Sequence, residues 1–190
     1  MIKKDSIFIL TFCSLVFFGC SKKDPEIEIK AGETGGSGVN YVNLDSIYLF
    51  DYYLDANNDG VKDFYFGADV QISGTSEYIS YTITPVSNDA LVYTCVDGKN
   101  NLLVLKKGDK IDESLSWMSN KNMCLYFYSY SAYPTYNPLI TNGNWININD
   151  GYLGFKIIKG SKTYLGWLRL SLVPFRVFYI KDYAYMEINS

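Results

Sequence analysis

Polar and apolar positions alternate with a period of two through most of the chain beyond residue 40. Phe64, Phe66, Ala68, Val70 and Ile72 interleave with Tyr65, Gly67, Asp69 and Gln71, the spacing that sends successive side chains to opposite faces of a strand. Strand-like runs are predicted at 46–54, 64–72, 77–84, 90–96, 102–105 and 124–129. Nearer the C-terminus, Leu153, Phe155 and Ile157 oppose Tyr152, Gly154 and Lys156, and Leu168, Leu170 and Leu172 oppose Trp167, Arg169 and Ser171. Two short runs, 176–181 and 183–188, close the pattern. Turn chemistry separates the runs, as at Pro85 and at Asp97-Gly98-Lys99-Asn100, and 131–144, rich in Tyr, Pro and Asn, reads as a loop. No stretch sustains a helical period. Many short strands between turns predict an all-β fold, a single antiparallel β-sandwich of jelly-roll type over 41–190.

The first forty residues follow another logic. Lys3 and Lys4 precede an apolar run at 7–18, then Gly19-Cys20 and the polar Ser21-Lys22-Lys23-Asp24. A basic start, a short apolar segment and a small residue before the cut form a secretory leader, too short to span ~30 Å of hydrocarbon as a helix. Val16-Phe17-Phe18-Gly19-Cys20 resembles a bacterial lipobox, so the expectation is a leader over 1–19 and a lipid on Cys20. The plainer alternative is an ordinary leader followed by a chance cysteine. Residues 21–40 mix charges with Gly32, Gly35, Gly36 and Gly38 and read, with Cys20, as a flexible tether. Ser21-Lys22-Lys23-Asp24 after Cys20 resembles the polar start of Bacteroidetes-type lipoproteins, and that resemblance implies the outer membrane or cell surface of a Gram-negative cell, with membrane contact through the lipid.

Charge and composition narrow the function. The 190 residues carry a formal charge of −3, and removing Lys3, Lys4 and Asp5 with the leader makes it −4. A mildly acidic surface offers nothing to neutralise phosphates, so nucleic acid is not an expected partner. There is no histidine, which removes Ser-His-Asp and Cys-His catalysis and histidine-bound metals. A carboxylate pair of the glycosidase kind is the remaining catalytic option, and the spacing of Asp51, Asp69, Asp109, Asp112, Glu113, Asp182 and Glu187 selects no pair. The reading is therefore non-catalytic. Beyond Cys13 and Cys20, Cys95 and Cys124 remain. They are a candidate disulfide in an oxidising compartment, or else two small hydrophobes packed in strands.

Two features carry candidate chemistry. Asp55, Asn57, Asp59 and Asp63 occupy positions 1, 3, 5 and 9 of a calcium-type loop, with Gly60 at position 6 and the Val61 carbonyl at position 7. A hard cation takes six to eight oxygens in such a loop, and calcium here would be structural. The alternative is a hairpin loop in which Asx side chains satisfy the turn with no ion. The second feature is aromatic. Trp145, Trp167, Tyr133 and Tyr136, with Arg169 beside Trp167, are candidate contacts for a glycan or a surface protein. Against that stands the ordinary role of a sheet Trp as core, or an Arg169–Trp167 stack.

Several motifs recur in a set order: LDANNDGVKDFYF (54–66), LKKGDKI (105–111), GNW (143–145), GYLGF (151–155), YLGWLRLSL (164–172) and IKDYAY (180–185). This series resembles a family of exported Bacteroidetes lipoproteins of unassigned function, similar to proteins with DxNxDGxxDF, GYLGxxF, YGWxxxSV and DYAY motifs also found among PEP-CTERM sorted proteins. Tyr164-Leu165-Gly166-Trp167 stands where the family has Tyr-Tyr-Gly-Trp, and Met186 precedes Glu187. The resemblance implies surface exposure and supplies no catalytic residues.

Overall fold

The computed structural model describes residues 27–48, 51–86, 91–119, 123–131, 138–173 and 177–188. Among them there is no helix. The strands are β1 (Ile29–Lys30), β2 (Val39–Tyr48), β3 (Tyr52–Leu54), β4 (Phe64–Ser73), β5 (Ser76–Pro85), β6 (Leu91–Cys95), β7 (Lys110–Ile111), β8 (Trp117–Met118), β9 (Met123–Ser131), β10 (Pro138–Asn142), β11 (Gly151–Lys159), β12 (Lys162–Val173) and β13 (Val177–Ile188). The fold is all-β with antiparallel sheets.

Three sheets form: β10-β9-β5-β4-β3, β2-β13-β12-β11-β6-β8, and the small pair β1-β7. The two larger sheets meet across a core. Phe64 of β4 meets Phe155 of β11 edge-on with ring centres 5.8 Å apart, and Thr94 Oγ1 of β6 donates to Met123 Sδ of β9 over 3.1 Å. Alternation decides which side chains enter this space. Phe64, Phe66, Ile83 and Leu125 from one sheet and Leu153, Phe155, Ile157, Leu168 and Leu170 from the other are fully buried. Burying one such side chain stabilises by roughly 1.5–3 kcal/mol.

The six-stranded sheet is also covered on its far side. Leu105 exchanges backbone hydrogen bonds with Tyr152 over 2.8 and 3.0 Å, and a side chain at Gly154 would meet Cys95 Sγ and Leu105. Ile29, Ala31 and Ile111, from β1, the residue after it and β7, are buried too. Both faces of β11 and β12 are therefore core, and Tyr152 and Gly154, expected to face outward, are buried.

Other sequence expectations change as well. The tether was expected to reach residue 40, but Ile29 pairs with Ile111 and is inaccessible, so the packed domain begins well before Tyr41. The expected loop at 131–144 contains β10, which pairs with β9. The expected strand at 102–105 forms only isolated bridges, Val96 with Leu102 and Leu105 with Tyr152.

Candidate functional site

Residues 55–63 join β3 to β4, whose register places Leu54 opposite Phe64. Asp63 closes the loop at its base: its N–H donates to the Leu54 carbonyl and its carbonyl accepts from Val86 N–H, both 2.8 Å. Positive φ angles of 58° at Asn58 and 89° at Gly60 turn the chain, which Asn and Gly tolerate better than other residues. The Asp55 carboxylate accepts from Asp59 N–H at 3.1 Å and Gly60 N–H at 2.7 Å. Asn57 Oδ1 accepts from Asp59 N–H at 3.3 Å, and Asp59 Oδ1 from Val61 N–H at 2.9 Å. Side-chain oxygens thus take the place of backbone partners, wrapping the loop around Asp55.

Charge converges on this loop. Asp63 is 1% exposed, and Ala56 N–H donates to its Oδ2 over 2.8 Å. Burial pushes its carboxyl up to about 6, against the Ala56 hydrogen bond and helped by the negative charges of Asp59 and Asp55. Burial also works against ionised Asp59, but hydrogen bonds from Lys159, Val61 and Asn57 outweigh it and hold Asp59 below the ordinary carboxylate value. Lys159, from the end of β11, sits 2.8 Å from Asp59 Oδ2. Tyr183 of β13 donates its hydroxyl to the Asp55 carbonyl over 3.1 Å. Lys159 and Tyr183 escaped the sequence reading, because they lie about a hundred residues or more from the loop and reach it only through the packing of the sheets.

The donor set suits a hard cation in kind, since every group is an oxygen ligand. Among the described residues no group of three or more His, Cys, Asp or Glu side chains is arranged to hold a metal ion. A cation here would depend on Asn57 and the Val61 carbonyl as well, and would compete with the Lys159 ammonium for Asp59.

The aromatic candidates separate. Trp145 is 0% exposed and Trp167 1%, so neither offers a face to a ligand, and the sequence expectation for both is corrected. Trp167 packs edge-on against Tyr152 at 5.3 Å and tilted against Tyr41 at 6.2 Å. Arg169 is likewise structural: its Nε and Nη2 both donate to the carboxylate of Asp182, which is 3% exposed and also accepts from the Tyr41 hydroxyl at 2.9 Å. Bidentate pairing of this kind fixes a guanidinium in place. Tyr133, Tyr136 and Cys20 lie outside the described residues.

The candidate disulfide is not formed, and topology explains why. Cys95 and Cys124 are both thiols, one buried and one exposed. Cys95 lies beside Gly154, whose N–H donates to its Sγ over 3.2 Å, on the far side of the six-stranded sheet from the inter-sheet core. Cys124 lines the outer surface of the five-stranded sheet. Two sheets ~10 Å apart lie between them, while a disulfide needs Cα atoms within about 7 Å. Burial pushes the Cys95 thiol up to about 12, so it is unreactive.

Comparison of the chain with protein-family models, with curated proteins and with solved structures finds no match.

Proposed function

We propose that the chain is an exported, lipid-anchored, non-catalytic binding protein of the bacterial cell surface, whose 55–63 loop holds a structural calcium ion. The observation that carries the anchor is Gly19-Cys20 directly after the Lys3/Lys4 and 7–18 leader, followed by a polar segment. Labelled palmitate fed to an expressing Gram-negative host is expected to enter the wild-type protein and not Cys20→Ala. Equal labelling of both, or none in the wild type, rejects the anchor.

Calcium would be held by the side chains of Asp55, Asn57, Asp59 and Asp63 and the carbonyl of Val61. It would neutralise carboxylates that now repel one another around Asp63, stiffening the β3–β4 connection. Binding to the folded state alone raises the unfolding midpoint by RT ln(1 + [L]/Kd). Millimolar calcium is expected to raise the midpoint relative to EDTA, the shift to vanish in Asp59→Ala, and to grow in Lys159→Ala, where the competing ammonium is gone. No shift in the wild type would reduce the loop to an Asx-stabilised hairpin.

A purely structural envelope role is the second reading, favoured by the burial of Trp145 and Trp167 in the core. It leaves the binding role to other surfaces.

A further inference from the structure

The outer face of the five-stranded sheet carries a cleft of about 300 Å³ lined by Tyr65, Gly67, Ala68, Asp69, Ser80, Thr82 and Cys124. Its origin is local. Gly67 lacks a side chain in the middle of β4, so the Tyr65 ring can lie flat over it as one wall, burying Gly67: a Cβ there would come within 2.7 Å of the ring. Tyr65 is held there by a hydrogen bond from its hydroxyl to Asp51. Across the strand pair Gly67 faces Thr82, and Thr82 faces Cys124, so the floor runs over three strands.

Aromatic rings stand at both ends of this floor. Tyr53, 51% exposed, is the cross-strand partner of Tyr65, their ring centres 4.8 Å apart. At the other end Tyr78 and Phe127 are stacked, 6.3 Å apart and 23° from parallel. Tyr78 pairs with Gln71, six residues along β4 from Tyr65, so the two aromatic pairs lie ~20 Å apart along the strands. Between them the lining offers two hydroxyls, a carboxylate and a thiol.

We propose that this face binds a neutral glycan chain, running over Thr82, Ser80 and Asp69 between the Tyr53/Tyr65 and Tyr78/Phe127 rings. The proposal rests on the reading of the chain as a binding protein and moves the contact away from the buried tryptophans. The chemistry chooses the ligand class. Ser80, Thr82 and Asp69 can exchange hydrogen bonds with sugar hydroxyls, while flat aromatic rings offer apolar area at low entropic cost. No Lys or Arg is among the lining residues, and Asp69 would repel an anionic ligand. With one carboxylate in the lining, the cleft lacks the pair that glycoside hydrolysis uses.

The test is pull-down of the mature lipoprotein, in a polyoxyethylene detergent, by insoluble β-glucan, xylan and mannan. At least one polymer should retain the wild type, with affinity falling tenfold or more in Tyr53→Ala and in Gly67→Leu, whose side chain would push the Tyr65 ring out of its place in the cleft wall. Lys162→Ala, which removes an exposed side chain at the end of the other sheet, should bind as the wild type. Unchanged unfolding midpoints in Tyr53→Ala would separate lost binding from lost folding. A palmitate-labelled wild type that no polymer retains overturns the cleft and leaves the anchor standing. Retention that survives both Tyr53→Ala and Gly67→Leu places any sugar elsewhere and equally overturns it.

Discussion

Asp63 is a carboxyl whose proton the fold holds more tightly than the unfolded chain does. Its pKa rises from 3.8 to about 6 because burial disfavours the charge, with the Ala56 hydrogen bond opposing and Asp59 and Asp55 adding repulsion. A raised folded-state value means that the native state holds a proton the unfolded chain has released. The stabilisation is full below the unfolded value near 4 and is lost as pH rises through about 6. In EDTA, the wild type is expected to lose stability between pH 4 and 6, at up to ~1.4 kcal/mol per pH unit from this group. Asp63→Asn should lack that component, as read from denaturant unfolding across the window. If the two proteins keep the same slope, Asp63 titrates in the native state as it does in the unfolded chain. In the proposed calcium-bound form the preference should reverse, because a ligating carboxyl group must be ionised.

At the scale of strands, the decisive contact is where β12 leaves room for its neighbour. A Cβ at Gly166 would lie 2.2 Å from the Phe155 ring and 2.4 Å from the Ala184 carbonyl, one of them backbone of the adjacent strand. Neither side can yield cheaply, so Gly166→Ala should destabilise by roughly 1–3 kcal/mol or more, measured by urea unfolding, while Gly98→Ala, in open space, should change little. Much of this strand architecture is legible in alternation: β4, β5, β9, β11 and β12 sit close to where period two places them. The failures have physical causes. The run 46–54 divides into β2 and β3, in different sheets, where Asp51 turns at φ 58°. The runs 176–181 and 183–188 are one strand, β13, whose register shift between Ile180 and Asp182 breaks the alternation. The two-residue strands β1 and β7 are too short to show any period. For that reason alternation did not decide between a ligand-facing and a core Trp167, because the layer that covers its face has no pattern of its own. The loop at 55–63 was legible as spacing, whereas its partners Lys159 and Tyr183 come only from tertiary packing.

For the whole molecule, the layering sets what solvent can reach. Cys124 is exposed and Cys95 buried with a raised pKa, so a thiol reagent should modify Cys124 in the native protein and Cys95 only after unfolding. Peptide mass mapping of alkylated native and denatured samples checks this, and native labelling of Cys95 would mean that its covering layer opens. The same layering governs how an anchored domain would stand. β1 is docked through β7, and Gly32, just after it, lies against the Tyr152 hydroxyl, on the side of the six-stranded sheet remote from the five-stranded one. Between Cys20 and the first described residue, Ile27, seven steps of chain reach at most ~25 Å. A lipid at Cys20 would therefore be a short leash fastened to the molecule's back. It would hold the six-stranded side towards the bilayer and turn the Gly67 face outward, where large polymers arrive.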